Sequence, residues 1–153
     1  MITATPAISL AQGTEIAFGG LKHDSGLPVE LSSDQLQINQ SDGSAVFSGN
    51  VIIGQGTMRL SANRVAVKYT QGNNRKISQM HATGNVVLVN GAEAAEANEA
   101  VYSIENSNIV MTGDVILTQG QSALSAQRMI VDLKTGKATL VGRVKTILQT
   151  GGN

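Results

Sequence analysis

The chain has 153 residues with 11 basic and 11 acidic side chains, and only 14% of it is charged, so it lacks the basic field that gathers nucleic acid. Two Phe and two Tyr cannot build a base-stacking platform, and the absence of Cys excludes disulfides and thiolate chemistry. No apolar run approaches the roughly 18 residues that a membrane-spanning helix needs.

The N-terminal region carries the only clue to a cellular compartment. Ser9-Leu10-Ala11 precedes Gln12 and resembles a signal-peptidase site, although no basic region or full apolar stretch stands before it. We therefore expect residues 1–27 to be an export-signal remnant followed by a loosely ordered arm. An ordinary disordered arm is the alternative. Residues 28–149 are expected to form one domain, and residues 150–153 a tail.

Two short sequence motifs, called phrases below, alternate along this domain, and each occurs four times. The first starts at Leu31, Leu60, Ala95 and Leu124, and the second starts at Phe47, Ala82, Met111 and Leu140. The second contains Gly-Asn-Val in its first two copies, Gly-Asp-Val in the third and Gly-Arg-Val in the fourth. Within each series the intervals are 29 residues, except for one of 35 that crosses the polar stretch 70–76. A single loop insertion accounts for both long intervals. A repeat of this length indicates stacked structural units that share one continuous core.

The repeated segments have the alternating apolar pattern of β-strands. In the Gly-Asn-Val phrase the period of two persists, as in Phe47, Val51 and Ile53. In the other phrase it slips by one residue, always at a polar pair: Asp34-Gln35, Asn63-Arg64, Asn98-Glu99 and Gln127-Arg128. A phase change of this kind predicts a β-bulge or sharp bend at each pair, and the Gly of the other phrase marks a bend or a close backbone approach.

The predicted fold is all-β: an open β-jellyroll of about eight long, bent, antiparallel strands, or up to 16 if each half is counted, with four internal repeats. A closed β-sandwich is the alternative. Residues 92–100 contain strong helix formers, Ala and Glu, which favour a helix locally. Because this segment is in register with three convincing strands, we expect it to be a strand.

The sequence offers no catalytic or metal-binding pattern. His23 and His81 stand far apart in the sequence with no ligand spacing between them, and no Ser lies in a nucleophile elbow. The spacing of Asp34, Asp42, Asp114 and Asp132 gives no reason to expect that any two of them form a catalytic carboxylate pair. The glycine-rich turns lack the following helix that a phosphate-binding loop requires. We therefore expect neither an enzyme nor a cofactor or metal site.

The apolar interior is the remaining candidate for function. A trough between two sheets of Val, Ile and Leu, with no bulky aromatics to plug it, can admit alkyl chains, whereas the plainer alternative is that these side chains fill one another's space. The residues expected to line the lipid-binding groove are Phe47, Val51, Ile53, Leu60, Val65, Val67, Val86, Leu88, Met111, Val115, Leu117, Leu124, Met129, Val131, Leu140 and Val144.

The run from about residue 28 to residue 69 also resembles a known family. Its phrases at residues 28–34, 45–51 and 55–65, including Phe-Ser-Gly-Asn-Val and Gln-Gly-Thr, are similar to the OstA-like domain of the LptA/OstA-like periplasmic lipopolysaccharide transport proteins. The rest, to about residue 149, matches by its repeat pattern. The middle is more compact and Ala-rich than the family pattern, and the long polar tail is missing.

The resemblance implies a periplasmic carrier that shields lipopolysaccharide acyl chains in a hydrophobic groove between the inner and outer membranes. It also implies edge-to-edge partners: an inner-membrane transporter-associated jellyroll protein at the N-terminal edge and an outer-membrane translocon jellyroll at the C-terminal edge. Two alternatives remain: a structural scaffold with a self-filled core, and the same-fold domain of a transporter partner or translocon. The missing transmembrane anchor argues against the transporter partner, and the missing barrel argues against the translocon unless the sequence is an excised fragment.

An open stack leaves two strands unpaired, near residues 30–39 and 137–148. Neither stretch is strongly protected against pairing with another chain, although Lys137, Arg143 and Lys145 give the second partial protection. We therefore expect β-augmentation and head-to-tail homo-oligomers as well as pairing with jellyroll partners. The residues expected to carry this assembly are Leu31, Leu36, Ile38, Val144 and Ile147.

Overall fold

The computed structural model describes residues 14–17 and 25–148 as one antiparallel sheet of eleven strands. Within these ranges the chain forms no helix with the length and hydropathy of a membrane span. The strands are β1 (Thr14–Ala17), β2 (Glu30–Ser32), β3 (Gln35–Ile38), β4 (Ala45–Gln55), β5 (Met58–Tyr69), β6 (Ile77–Asn90), β7 (Glu93–Ser103), β8 (Asn108–Gln119), β9 (Ser122–Asp132), β10 (Lys137–Val141) and β11 (Lys145–Ile147).

Strands that follow one another in sequence also lie side by side. From β4 to β9 each long strand pairs with the next, while β2 and β3 together flank β4, and β10 and β11 together flank β9. The pairs β2/β3 and β10/β11 are thus the broken first and last of eight long strands. Because the two ends of the order do not pair with each other, the sheet is open. This confirms the predicted all-β open jellyroll and excludes the closed sandwich.

Each long strand bends near its middle at a register shift. In β4 the bend contains Gly49 and Asn50, and these two residues face the single Asn63 of β5. Gly49 has φ 81° and Asn50 φ 49°, and the same pair of left-handed conformations recurs in β6, in β8 and after β10. Gly49, Gly84, Gly113 and Gly142 therefore occupy equivalent positions, which confirms the bend predicted at the glycine of each copy, and the bends at the polar pairs are confirmed as well.

The bends divide the sheet into two walls that face each other. Wall A holds residues 14–17, 35–38, 45–48, 64–69, 77–83, 99–103, 108–112, 128–132 and 137–141. Wall B holds residues 30–32, 51–55, 58–62, 86–90, 93–97, 115–119, 122–126 and 145–147. Inward-facing side chains of both walls form one apolar cluster. We call the side opposite the bends, where the turns lie, the mouth.

The Ala-rich segment is a strand, as its repeat register predicts. Residues 93–103 form β7, which pairs along its length with β6 and β8. Its burial alternates, with Ala95, Ala97 and Ala100 inside and Glu96 and Glu99 outside. Two flanking strands and a buried face thus outweigh the local preference of Ala and Glu for a helix.

The N-terminal region differs from the expected loose arm because it contributes β1. Thr14 to Ala17 pair with Leu140 to Lys137 of β10. Residues 137–140 are therefore not an unpaired edge, and that part of the edge prediction is wrong. The sequence gives no sign of this pairing, since β1 lies outside the repeat. The other proposed features of residues 1–13 and the tail at 150–153 lie outside the described residues.

Candidate functional site

The predicted groove residues lie together in the interior between the walls. Fourteen of the sixteen belong to the buried cluster, with exposed fractions of 5% or less, and Phe47 and Val144 are partly buried against it. The fourteen are Val51, Ile53, Leu60, Val65, Val67, Val86, Leu88, Met111, Val115, Leu117, Leu124, Met129, Val131 and Leu140. The structure therefore brings the set together, and lipid binding by it stays a prediction.

Sequence reasoning missed several large interior side chains. Met58, Met80, Tyr102, Ile109 and Leu133 are all at most 2% exposed and complete the cluster. Met80 and Ile109 continue the uninterrupted period-two pattern of β6 and β8, and Tyr102 follows that pattern after the slip in β7, so applying the pattern to every strand would have found them. Met58 and Leu133 lie beside turns, where alternation gives a weaker signal.

Methionine is a distinctive component of this interior. Met58, Met80, Met111 and Met129 are each no more than 1% exposed. The thioether side chain has three rotatable bonds and fills irregular space, so it adapts to changes in its surroundings better than branched residues do. The interior thus contains apolar side chains that can repack.

Polar contacts join the two walls at the mouth. Tyr102 of wall A donates a 2.6 Å hydrogen bond from its hydroxyl to Oε1 of Gln55, the last residue of β4 in wall B. Gln55, Asn90 and Ser107 are the buried polar residues among those the structure describes, and all lie at mouth ends of strands or in a turn there. The mouth is therefore the boundary between the apolar interior and polar groups.

The N-terminal edge of the stack exposes apolar surface continuous with the interior. Leu36 and Ile38 of β3 are 51% and 65% exposed. They line a cavity of about 270 Å³ together with Phe47, Tyr69 and Arg75. Leu31, the remaining residue of the expected N-terminal set, is partly buried against the core.

Arg75 belongs to the loop inserted at residues 70–76 and shapes this edge. Its guanidinium packs closely against Gly43, donates to the carbonyl oxygen of Asp42 and lies 5.3 Å from the ring of Tyr69. The insertion that breaks the repeat spacing thus supports the turn between β3 and β4.

At the other end, only part of the last broken strand is free to pair. Ile147 and Leu148 are 59% and 64% exposed. β11 pairs with β9 and is an edge of wall B among the described residues, whereas β10 is covered by β1. Val144 lies between them, partly buried against the core. The expected assembly role of Val144 and Ile147 stays a prediction.

Among the residues whose burial the structure describes, no Asp, Glu, His, Lys or Arg side chain is buried in the interior. His81 Nε2 is 2.7 Å from Glu99 Oε1 on the outer face, where both side chains are exposed. Asp34 accepts a hydrogen bond from Asn50 at the bend, and Asp42 and Asp132 accept hydrogen bonds within turns. Within residues 14–17 and 25–148 no three His, Cys, Asp or Glu residues cluster as metal ligands. His23 lies outside the described residues.

Comparison with known proteins adds a family and a structural neighbour. Residues 30–137 match the family model described as LptA/(LptD N-terminal domain) LPS transport protein. A protein of Rhizobium meliloti (strain 1021) named "Uncharacterized protein R00383" is 31% identical over 109 residues, which cover 67% of this chain and 59% of that protein. The chain thus spans less than two thirds of this relative's length.

The fold is also similar to a solved structure. The crystal structure of LptH, the LptA homologous periplasmic component of the lipopolysaccharide transport device from Pseudomonas aeruginosa, superposes with a TM-score of 0.69. The match covers 83% of this chain and 99% of that one. Because the identity is 16%, the match shows that the folds are similar and shows nothing about function.

Proposed function

The chain belongs to the LptA/LptD N-terminal family of LPS transport proteins, and from this we propose that it is a periplasmic carrier that shields the acyl chains of lipopolysaccharide in the groove between its walls. The observation that carries the proposal is the interior itself. It is lined by apolar side chains of both walls and is continuous from one end of the stack to the other.

The physical basis of binding is exchange of one apolar contact for another. In this structure the walls pack on each other, with interior residues such as Val51 and Met129 at 0% exposure. Separation of the walls would expose apolar surface, and an acyl chain would cover it again. Each buried methylene contributes about 0.8 kcal/mol, so part of one chain supplies several kcal/mol. The adaptable Met side chains lower the cost of repacking.

Transport would then depend on partners at the ends of the stack. No nucleotide-binding motif occurs in the sequence, so the proposed carrier must receive lipid from a protein that supplies the energy. The exposed Leu36 and Ile38 would meet the jellyroll of an inner-membrane transporter complex, and β11 that of an outer-membrane translocon. Copies of the chain joined in the same way would form a head-to-tail bridge.

Two other functions have a specific observation in their favour. The near-zero exposure of the interior side chains favours a structural scaffold whose core is filled by its own residues. The family description names the LptD N-terminal domain beside LptA, which favours a same-fold domain of a translocon. The first predicts no lipid in the interior, whereas the second predicts lipid and one stable jellyroll partner.

Photo-crosslinking tests the groove directly. A photoreactive residue at Val51 or Met129 faces the interior, whereas the same residue at Asn50 or Arg128 lies on the exposed bend. We expect lipopolysaccharide adducts at the two interior positions and few at the two bend positions, with copurified lipid identified by mass spectrometry. Equal labelling at all four positions, or no lipid at any, would contradict the carrier function.

A further inference from the structure

The mouth contains polar groups arranged around one buried amide. Gln55 is 1% exposed, and its Oε1 accepts the hydrogen bond from Tyr102, which is 2% exposed. Its Nε2 donates two further hydrogen bonds, to the carbonyl oxygens of Ser25 at 3.0 Å and Leu27 at 2.8 Å. One amide thus connects wall B, wall A and the segment that precedes β2.

That segment, residues 25–29, lies over the mouth, and we call it the strap. Ser25 is joined to the turn between β7 and β8 by a 2.8 Å hydrogen bond between its hydroxyl and that of Ser107. Val29 packs against the core and Leu27 is 40% exposed. The strap lines a cavity of about 410 Å³ together with the apolar Ile77 and Ile104 and the polar Thr70, Lys76 and Glu105.

The strap resembles an acylated lipid in two respects, because it brings carbonyl oxygens and apolar side chains to the mouth. It offers two carbonyl oxygens to the Gln55 amide, and the side chain of Val29 packs against the core. The ester or amide linkage of an acylated sugar likewise carries carbonyl oxygens at the point where its apolar chains begin. A site that binds the first arrangement has the donors and the apolar surface needed for the second.

We propose that Gln55, held by Tyr102, is the anchor for the carbonyl groups of acyl linkages, and that the strap occupies this anchor until lipid displaces it. The inference rests on the proposed carrier function and identifies the residue that would recognise the boundary between the sugar and the acyl chains of the lipid. Removal of one neutral hydrogen bond changes an equilibrium constant by about 2- to 12-fold, so the few hydrogen bonds that hold the strap on Gln55 and Ser107 are weak enough for lipid to displace it.

The first experiment follows the strap. Because the chain contains no Cys, Leu27→Cys provides one site for a spin label on the strap, and Thr118→Cys provides a matched exposed site on the outer face of wall B. We expect purified lipopolysaccharide to increase the mobility of the label at position 27 in a saturable manner and to leave the label at position 118 unchanged. Saturable binding of lipopolysaccharide with an unchanged label at position 27 overturns the inference and leaves the carrier function standing.

The second experiment tests the anchor. Gln55→Glu keeps an acceptor for Tyr102 but loses the two amide hydrogens. We expect it to mobilise the strap without lipid and to weaken binding of lipopolysaccharide about 5-fold or more, while binding of a fluorescent alkyl probe without an acyl linkage is not weakened. Equal weakening of both probes, or of neither, contradicts an anchor at the linkage.

A milder variant keeps the test valid if Gln55→Glu does not fold. Ser107→Ala removes the hydroxyl that holds Ser25 and leaves Gln55 intact. We expect a more mobile strap and lipopolysaccharide binding that is unchanged or up to about 3-fold tighter, because lipid displaces a weaker competitor. A Ser107→Ala strap as immobile as the parent's, or weaker lipid binding, contradicts the inference. If the parent chain binds no lipopolysaccharide at all, the carrier function itself fails.

Discussion

The α-carbon of Gly84 lies against the side chain of Asn63 on the neighbouring strand. A Cβ added at Gly84 would be 2.6 Å from Asn63 Nδ2, and Gly84 has φ 82°. The same relationship joins Gly49 to Asp34, Gly113 to Asn98 and Gly142 to Gln127. The two repeated phrases of the sequence are therefore partners in space, because the polar residue of one occupies the room left by the glycine of the other.

This contact makes Gly84→Ala a costly substitution. The left-handed backbone and the displaced Asn63 side chain together are expected to lower the free energy of unfolding by about 2–4 kcal/mol. Gly91→Ala is the matched control, because Gly91 has φ 63° in a turn with nothing within 4 Å of the added Cβ. It should cost about 1 kcal/mol. Urea unfolding measures both, and equal losses would mean that the contact with Asn63 contributes nothing.

The repeated part of the fold is predictable because repetition averages out local ambiguity. The helix-forming composition of residues 93–100 is misleading alone, and three aligned copies correct it. Contacts that occur once have no such support. Three contacts each involve at least one residue outside the two phrases: the pairing of β1 with β10, the hydrogen bonds of the strap, and the Tyr102–Gln55 bond. Their long-range geometry leaves no periodic signal in the sequence. The candidate groove follows the repeats, whereas its mouth does not.

Deletion of residues 1–17 should convert β10 into an exposed edge. β1 pairs with residues 137–140 and covers the wall A side of the last repeat. Without it, backbone amides of β10 that donate to β1 lose their partners and are open to solvent or to another chain. We expect faster hydrogen exchange within residues 137–141 and stronger self-association. The amides of β6, which lies in the centre of the sheet, serve as the internal control. Unchanged exchange in β10 would show that β1 does not protect it.

The turn before β4 should respond to pH through Asp42. The hydroxyl of Ser44 and then its backbone N–H, which donate to Asp42 Oδ1 at 2.7 and 2.9 Å, lower the pKa of Asp42 from its usual 3.8. Because the folded pKa is depressed, this stabilisation is present above the unfolded pKa and is lost as the pH falls through the folded pKa. Ser44→Ala should therefore raise the pKa of Asp42, as measured by NMR titration of its carboxyl carbon.

Ser41→Ala is the control for that titration. The Ser41 hydroxyl donates to Asn39 Oδ1 in the same turn, and Ser41 is not among the groups that shift the pKa of Asp42. The substitution should leave the Asp42 pKa unchanged. A rise of similar size in both variants would assign the effect to the turn as a whole.

A charge placed on the N-terminal edge strand should block assembly, whereas the same charge on an internal strand should not. Ile38 is 65% exposed on β3, which pairs on one side with β4. A lysine there would have to be buried or displaced when another strand is added, which is the means by which natural edge strands resist association. Loss of one buried Ile side chain corresponds to about 1.5–3 kcal/mol, so Ile38→Lys should weaken head-to-tail association by tenfold or more.

Ile116→Lys provides the matched comparison because Ile116 is 43% exposed on β8, which has a neighbouring strand on each side. The same charge is added in both variants, but only Ile38 belongs to the edge. Sedimentation velocity over a range of protein concentrations should show association for the parent and Ile116→Lys and a shift toward monomer for Ile38→Lys. Thermal unfolding should be nearly unchanged in both, since both residues are exposed and neither belongs to the buried cluster. A folded Ile38→Lys variant that associates like the parent would place the contact elsewhere than β3.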